Sequence, residues 1–186
     1  LIHTGSFLAP IFTDLCKTLL SDVEVFNIVD ESLINNTIEA NELTASTSKR
    51  VATYIQSAEE AGADAVLVTC SSIGPAVEAT RPFVGIPVLR IDQPMADLAV
   101  KTGKRIGVIA TLPTTLAPTI DLVRMRANVN EMEIEIVQKL CEGAFQAVVS
   151  GDVDTHDKLV TAGLKELIQQ VDVVVLAQAS MARVVE

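Results

Sequence analysis

Ala63-Asp64-Ala65-Val66-Leu67-Val68-Thr69-Cys70-Ser71-Ser72 and, 108 residues later, Val171-Asp172-Val173-Val174-Val175-Leu176-Ala177-Gln178-Ala179-Ser180 are two versions of one pattern. Each is an acidic residue, a run of branched aliphatics without polar alternation, and a short polar turn. Unbroken apolar runs of this length suit strands buried on both faces, as in parallel sheets covered by helices. The same shift lays Val23-Glu24-Val25-Phe26 on Glu131-Met132-Glu133-Ile134, both strand-like, and His3-Thr4-Gly5-Ser6 on Thr111-Leu112-Pro113-Thr114. A period this long is not that of a solenoid repeat. It predicts two lobes of similar fold, related by a pseudo-twofold axis, with a cleft between them.

Working outward, strand-like and helix-like runs alternate along the chain. Strands are predicted at Leu1–His3, Val23–Val29, Ala65–Thr69, Pro87–Ile91, Arg105–Ala110, Glu133–Val137 and Val171–Ala177. Helices are predicted at Ala9–Leu20, Ala40–Ala61, Ile73–Ala79, Met95–Lys101, Thr114–Ala127, Leu140–Ser150 and His156–Gln170, with Gly62, Gly103 and Gly151 placed to stop them. This rhythm predicts an α/β fold in which each lobe is a parallel sheet flanked by helices. The lobes are expected at residues 1–94 and 95–186.

Composition narrows the function. Of the 186 residues 49% are hydrophobic, enough for a substantial core, and with no Trp, one Tyr and five Phe that core must be aliphatic. The net charge of −10 and the lack of a Lys/Arg cluster argue against nucleic acid as a partner. No apolar run approaches the roughly 18 residues that would mark a membrane span. Cys16, Cys70 and Cys141 are odd in number and widely spaced, without a CxxC, so neither a disulfide framework nor a metal site is indicated, and a reducing cytoplasm is the expected location. There is no GxGxxG, P-loop or GxSxG motif, hence no signature of a nucleotide cofactor or a hydrolase elbow. The chain opens at Leu1 in what reads as a strand, and the true N-terminus is expected to lie upstream.

Ligands of open α/β sheets bind at the carboxyl ends of strands. Cys70 falls at such an end, flanked by Thr69 and Ser71, with Ser72 at the start of the next helix. Unpaired N–H groups and the helix dipole at that point favour an anion, a thiolate included. An apolar stretch is also where inert buried cysteines sit, but the polar neighbours favour a working thiol. Cys16 and Cys141 lie in amphipathic helical patterns and read as structural. In the second lobe Thr111, Thr114 and Thr115 follow the strand Arg105–Ala110, where they either hold a carboxylate or simply cap the next helix. His3 ends the first strand and, with Thr4, is placed to close the site. His156 reads as structural or surface.

These residues resemble the aspartate/glutamate racemase superfamily, which includes glutamate, aspartate and hydantoin racemases, maleate isomerase and arylmalonate decarboxylase. Val68-Thr69-Cys70-Ser71-Ser72 is similar to its first-lobe cysteine motif. Ala110-Thr111-Leu112-Pro113-Thr114 is similar to its second-lobe carboxylate loop, with Ala110 in place of a glycine, and Gly151-Asp152 with His156-Asp157 also matches. The resemblance implies a cofactor-free reaction at a carbon next to a carboxylate or carbonyl, with no metal, and a homo-oligomer, expected to be a dimer. It also implies a further helix returning to the first lobe after the chain's last strand. In two-cysteine members one thiolate removes the α-proton and a thiol on the opposite face returns one.

This chain departs from that pattern, because the 108-residue shift sets Gln178 where a second cysteine would stand. A carboxamide is neither an acid nor a base in water's pH range, though it can hydrogen-bond a carboxylate or carbonyl. The expectation is an isomerase or racemase-like enzyme with Cys70 as its one thiol, acting on a small carboxylic acid such as an amino acid, hydantoin or dicarboxylate. A decarboxylase-like lyase and a non-catalytic binder of small acids are the alternatives. Ser71, Ser72, Thr111, Thr114 and Thr115 are expected to hold the carboxylate, with Thr69 beside the thiol. Gln178 and Ser180 are expected to line the opposite wall.

Overall fold

The computed structural model describes residues 1–185. Leu1–Ile91 form one compact unit and the chain from Asp92 onward a second.

The first unit holds β1 (Ile2–His3), α1 (Leu8–Leu19), β2 (Ile28–Val29), α2 (Ser32–Ala40), α3 (Ala45–Glu60), β3 (Val66–Val68), α4 (Gly74–Thr80) and β4 (Val88–Arg90). Its strands are all parallel, in the order β2-β1-β3-β4. The second unit holds α5 (Gln93–Thr102), β5 (Arg105–Ala110), α6 (Pro113–Val129), β6 (Glu135–Leu140), α7 (Ala144–Val149), α8 (Val153–Leu167) and β7 (Val173–Leu176), with the parallel order β6-β5-β7. The two chemistry-bearing turns are single 3-10 segments, Ser71–Ile73 after β3 and Ala179–Val184 after β7.

Each sheet is buried by its helices in the way the residue spacing demands. In α3 the buried positions are Thr47, Val51, Ile55 and Ala58, one stripe of an amphipathic helix. Val51, Ile55 and Ala58 pack with Ile2, Val66, Val68 and Val88 of the strands. In β5 every residue from Ile106 to Ala110 is buried, as the apolar run predicts for a strand paired on both sides. Its neighbours include Val100, Ile120, Val123 and Val175. Each fully buried aliphatic of this kind contributes about 1.5–3 kcal/mol. Asp172 accepts bonds from the N–H groups of Lys104 and Arg105 at 2.9 and 2.8 Å, tying the entry of β7 to that of β5. Those two bonds hold its carboxyl below the ordinary range.

Some boundaries differ from the sequence expectation. A helix was expected from Ala40 to Ala61, but Ser32–Ala40 is a helix of its own. Asn41 leaves it in the left-handed region (φ 53°) and Thr44 starts the next, its hydroxyl accepting from Thr47 N–H. This is an N-cap signal that the surrounding helix formers mask. The strand expected at Val23–Val29 is confined to Ile28–Val29. The one expected at Glu133–Val137 runs instead from Glu135 to Leu140, so the helix expected from Leu140 starts only at Ala144. Gly62 and Gly151 do end helical turns with positive φ.

The correction to β2 and β6 refines the repeat. Val23–Phe26 and Glu131–Ile134 are not strands, so their match is coincidental. Strand pairing supplies the equivalence instead. Ile2 pairs with Ile28 and Val68, as Ile109 pairs with Lys139 and Leu176. The offsets are therefore 107 residues from Ile2 to Ile109, 111 from Ile28 to Lys139 and 108 from Val68 to Leu176. The topology β2-β1-β3 recurs as β6-β5-β7, and a shift of 108 holds for the strand that leads to Cys70 and Gln178.

Among the described residues no helix is long and apolar enough to cross a membrane, and no group of three or more His, Cys, Asp or Glu is placed to hold a metal ion.

Packing at Gly107 is tight: a Cβ there would lie 2.8 Å from Leu167 Cγ and Cδ2 and 3.1 Å from Val171 Cγ2. Gly107→Ala is expected to lower the unfolding free energy by about 1–3 kcal/mol, read from the shift of the urea midpoint at unchanged slope.

Candidate active site

In the first unit Cys70 follows β3 in extended conformation (φ −127°, ψ 118°), and its thiol makes no capping bond to the 3-10 turn that begins at Ser71. It is partly buried against the core. Ser72 beside it is buried and Ser71 half-buried. Cys141 is buried, and that burial pushes its thiol up, an inert setting. It belongs to the loop after β6, where its Sγ lies against Gly163; it is not in a helix, as the pattern had suggested.

His3 is wholly buried, held on both ring nitrogens. Its Nε2 lies 2.9 Å from Asn27 Oδ1 and its Nδ1 2.8 Å from Thr69 Oγ1. Asn27 donates its own amide to Thr13, which leaves Oδ1 toward the ring. The Thr69 hydroxyl also reaches the Ile2 carbonyl at 3.2 Å, so both ring nitrogens are engaged by partners that tie the ring to the chain just after β3. His3 acts on the strand residue next to Cys70, and Asn27, which completes this chain, has no marker in the sequence. Thr4 is buried, while Ser6 N–H of the same loop is taken by Glu31 at 2.9 Å.

Two further groups escape a reading of the sequence by motif. Arg90 ends β4, is 4% exposed and lies 3.6 Å from Glu78, which also accepts from Arg81 at 2.7 Å. The guanidinium of Arg90 sits where a side chain at position 74 would go, 2.3 Å from an ideal Cβ. Gly74, at the foot of the turn that starts from Cys70, is a glycine because this cation passes beneath it. An arginine inside the apolar run Pro87–Ile91 is the one sequence signal of it. Asp30, just after β2, accepts from Ser32, Tyr54 and Arg50. Burial pushes its carboxyl up, but those bonds and the Arg50 charge bring it below the ordinary range.

In the second unit α6 begins at Pro113, with Leu112 as its unassisted cap. Thr114 and Thr115 are thus inside the first turn, and neither serves as the N-cap. Pro113 has no N–H, and that of Thr114 has no intrahelical carbonyl to reach. The Thr114 hydroxyl is buried and has no hydrogen-bond partner. Gln178 follows β7 in extended conformation (φ −140°, ψ 139°) and leads into a 3-10 turn, the place Cys70 occupies after β3. Its Oε1 accepts from Thr111 N–H at 2.6 Å and Thr111 Oγ1 at 2.9 Å. Ser180 is half-buried in the turn. The turn is fastened to α8 through Arg183, which donates to Asp157 at 2.9 Å and lies 3.3 Å from His156 Nδ1. His156 itself is wholly buried, not at the surface.

Burial holds the His3 imidazole below its ordinary value near 6.5. Above pH 6.5 the ring is neutral folded or unfolded. As pH falls below that, the unfolded chain takes the proton first, so stability is lost down to the folded value. The loss is at most about 1.4 kcal/mol per pH unit. Denaturation between pH 7 and 5 should show a decline that is shallower in His3→Gln.

The match to known proteins agrees with this layout. The model of the Asp/Glu/Hydantoin racemase family matches residues 8–186. No curated protein sequence matches the chain. A glutamate racemase isoform from Bacillus anthracis is structurally similar, with a TM-score of 0.70 at 16% identity, covering 99% of this chain and 68% of that one. Glutamate racemase from Aquifex pyrophilus gives 0.67 at 17%, over 96% and 69% of the two chains. Aspartate racemase from Picrophilus torridus gives 0.65 at 16%, over 100% and 82%. At such identities the likeness is one of fold. The family match spans nearly the whole sequence, and the chain accordingly belongs to the Asp/Glu/hydantoin racemase family, as an isomerase of the racemase kind acting on small acids.

Proposed function

We propose that the protein is a cofactor-independent isomerase that labilises the proton on the α-carbon of a small carboxylic acid, with Cys70 as its single catalytic thiol. The observation that supports this is the equivalence of Cys70 and Gln178. The two residues follow equivalent strands in the same conformation and each opens a 3-10 turn. Only one of them can carry a proton.

In this mechanism the Cys70 thiolate takes the α-proton. The electron pair left behind spreads onto the carboxylate, which becomes enolate-like, and the thiol or water returns a proton to carbon. The substrate's charge rises on oxygen during the step, so donors aimed at that oxygen lower the barrier more than they strengthen ground-state binding. The unpaired Thr114 hydroxyl and the open first turn of α6 suit that role. Thr115, Ser71, Ser72 and Ser180 support it, while Thr69 and His3 set the strand end that carries the thiol. Thr111 serves indirectly, because its N–H and hydroxyl both bond Gln178. The substrate is an amino acid, a hydantoin or a dicarboxylate.

Proton NMR in D₂O with aspartate, glutamate, hydantoins, maleate and arylmalonates tests this reading. One class should lose its α-proton signal or show product. Cys70→Ala should cut the rate at least about 10³-fold with the fold retained. Thr114→Val should lower kcat about tenfold with a smaller change in KM. Full turnover by Cys70→Ala would sink the assignment, and acids that bind without any exchange would make the protein a binder only.

A further inference from the structure

Resting on that reading, we infer that Gln178 is the specificity-determining residue of the second unit: a carboxamide locked so that it offers hydrogen-bond donors, and only donors, to an oxygen of the substrate.

The lock is visible in its partners. Thr111 N–H, at 2.6 Å, can only donate, so the atom it meets must be the amide oxygen. The Thr111 hydroxyl, at 2.9 Å, adds a second donor to the same oxygen. Exchange of the amide's oxygen and nitrogen would set N–H against N–H, so the orientation is settled by the network. Nε2 then points its two protons elsewhere. No described residue takes them, and the atom is not sealed from solvent.

This arrangement selects a ligand chemistry. An ammonium group would meet donors with donors and is disfavoured there. A carboxylate or enolate oxygen is favoured, the more so as its charge grows when the α-proton leaves. The cation nearest in sequence, Arg183, is engaged with Asp157, so the neutral amide does this work. A substrate's amino group, where there is one, therefore lies away from Gln178. Where the two-thiol pattern has an acid, this chain has an oxygen anchor.

The variant that isolates the claim is Gln178→Glu. A glutamate keeps an oxygen for both Thr111 bonds but replaces the donating NH₂ with a second, negatively charged acceptor. Malonate, a small dicarboxylate with no amino group, is the probe, titrated into ¹⁵N-labelled protein. The Gln178 side-chain amide signals should shift on saturation. Gln178→Glu should weaken malonate binding about tenfold to a hundredfold without lowering the melting temperature. Unmoved amide signals, equal malonate binding by wild type and Gln178→Glu, or no saturable binding to the wild type would each overturn the inference. Cys70→Ala, run in the same titration, should bind malonate as the wild type does. The binding result is thus separate from the fate of the single-thiol mechanism, which turnover decides.

Discussion

Parallel strands bring their carboxyl ends to one side of a sheet, and at that end the backbone has to leave the ladder. The proposed chemistry of this chain depends on how it leaves. After β3 and again after β7 the chain passes through an extended residue, Cys70 or Gln178, and then tightens into a 3-10 turn. The residue at the extended-to-turn junction stands at the start of a helical turn, where the first N–H groups have no carbonyl of that turn to reach. In one unit that residue is Cys70 and in the other Gln178. The strands are held in register by buried aliphatics on both faces, so the junctions are fixed by the cores beneath them.

The two units use the same scaffold to different ends. In the first, a buried neutral histidine and a buried arginine brace the junction from below, His3 through Thr69 and Arg90 through Gly74. In the second, the junction residue folds its own oxygen back onto the preceding loop through Thr111. A thiol has no such oxygen and remains available for proton transfer. An amide tied down in this way is spent as an acceptor and remains as a donor. On the proposed reading, divergence within one repeat separates proton transfer from oxygen binding.

Much of this was legible in the sequence, because burial on both faces of a parallel strand leaves unbroken aliphatic runs such as Val66–Val68 and Val173–Leu176. The Cys70/Gln178 equivalence followed from those runs alone. The carboxylate loop after β5 was legible as a cluster of threonines, but not the detail that Pro113 and Leu112, not a threonine, start the helix. The boundaries that failed are those where local preference and pairing disagree. Val23–Phe26 has the composition of a strand but no partner in the ladder, and Leu140, read as the start of a helix, is held by β5. His3, Asn27, Arg90 and Glu78 depend on contacts between residues far apart in the chain, and no local pattern encodes such contacts.

The proposed mechanism requires that Cys70 alone among the three cysteines is a working thiol. Its most direct test is the alkylation rate of each cysteine by iodoacetamide in the native protein, followed by mass spectrometry alongside residual turnover. Cys70 is expected to react ahead of the half-buried Cys16, the buried Cys141 to stay unmodified, and activity to fall in step with Cys70 modification. Activity that tracked Cys16 or Cys141, or that survived complete alkylation of Cys70, would contradict the mechanism.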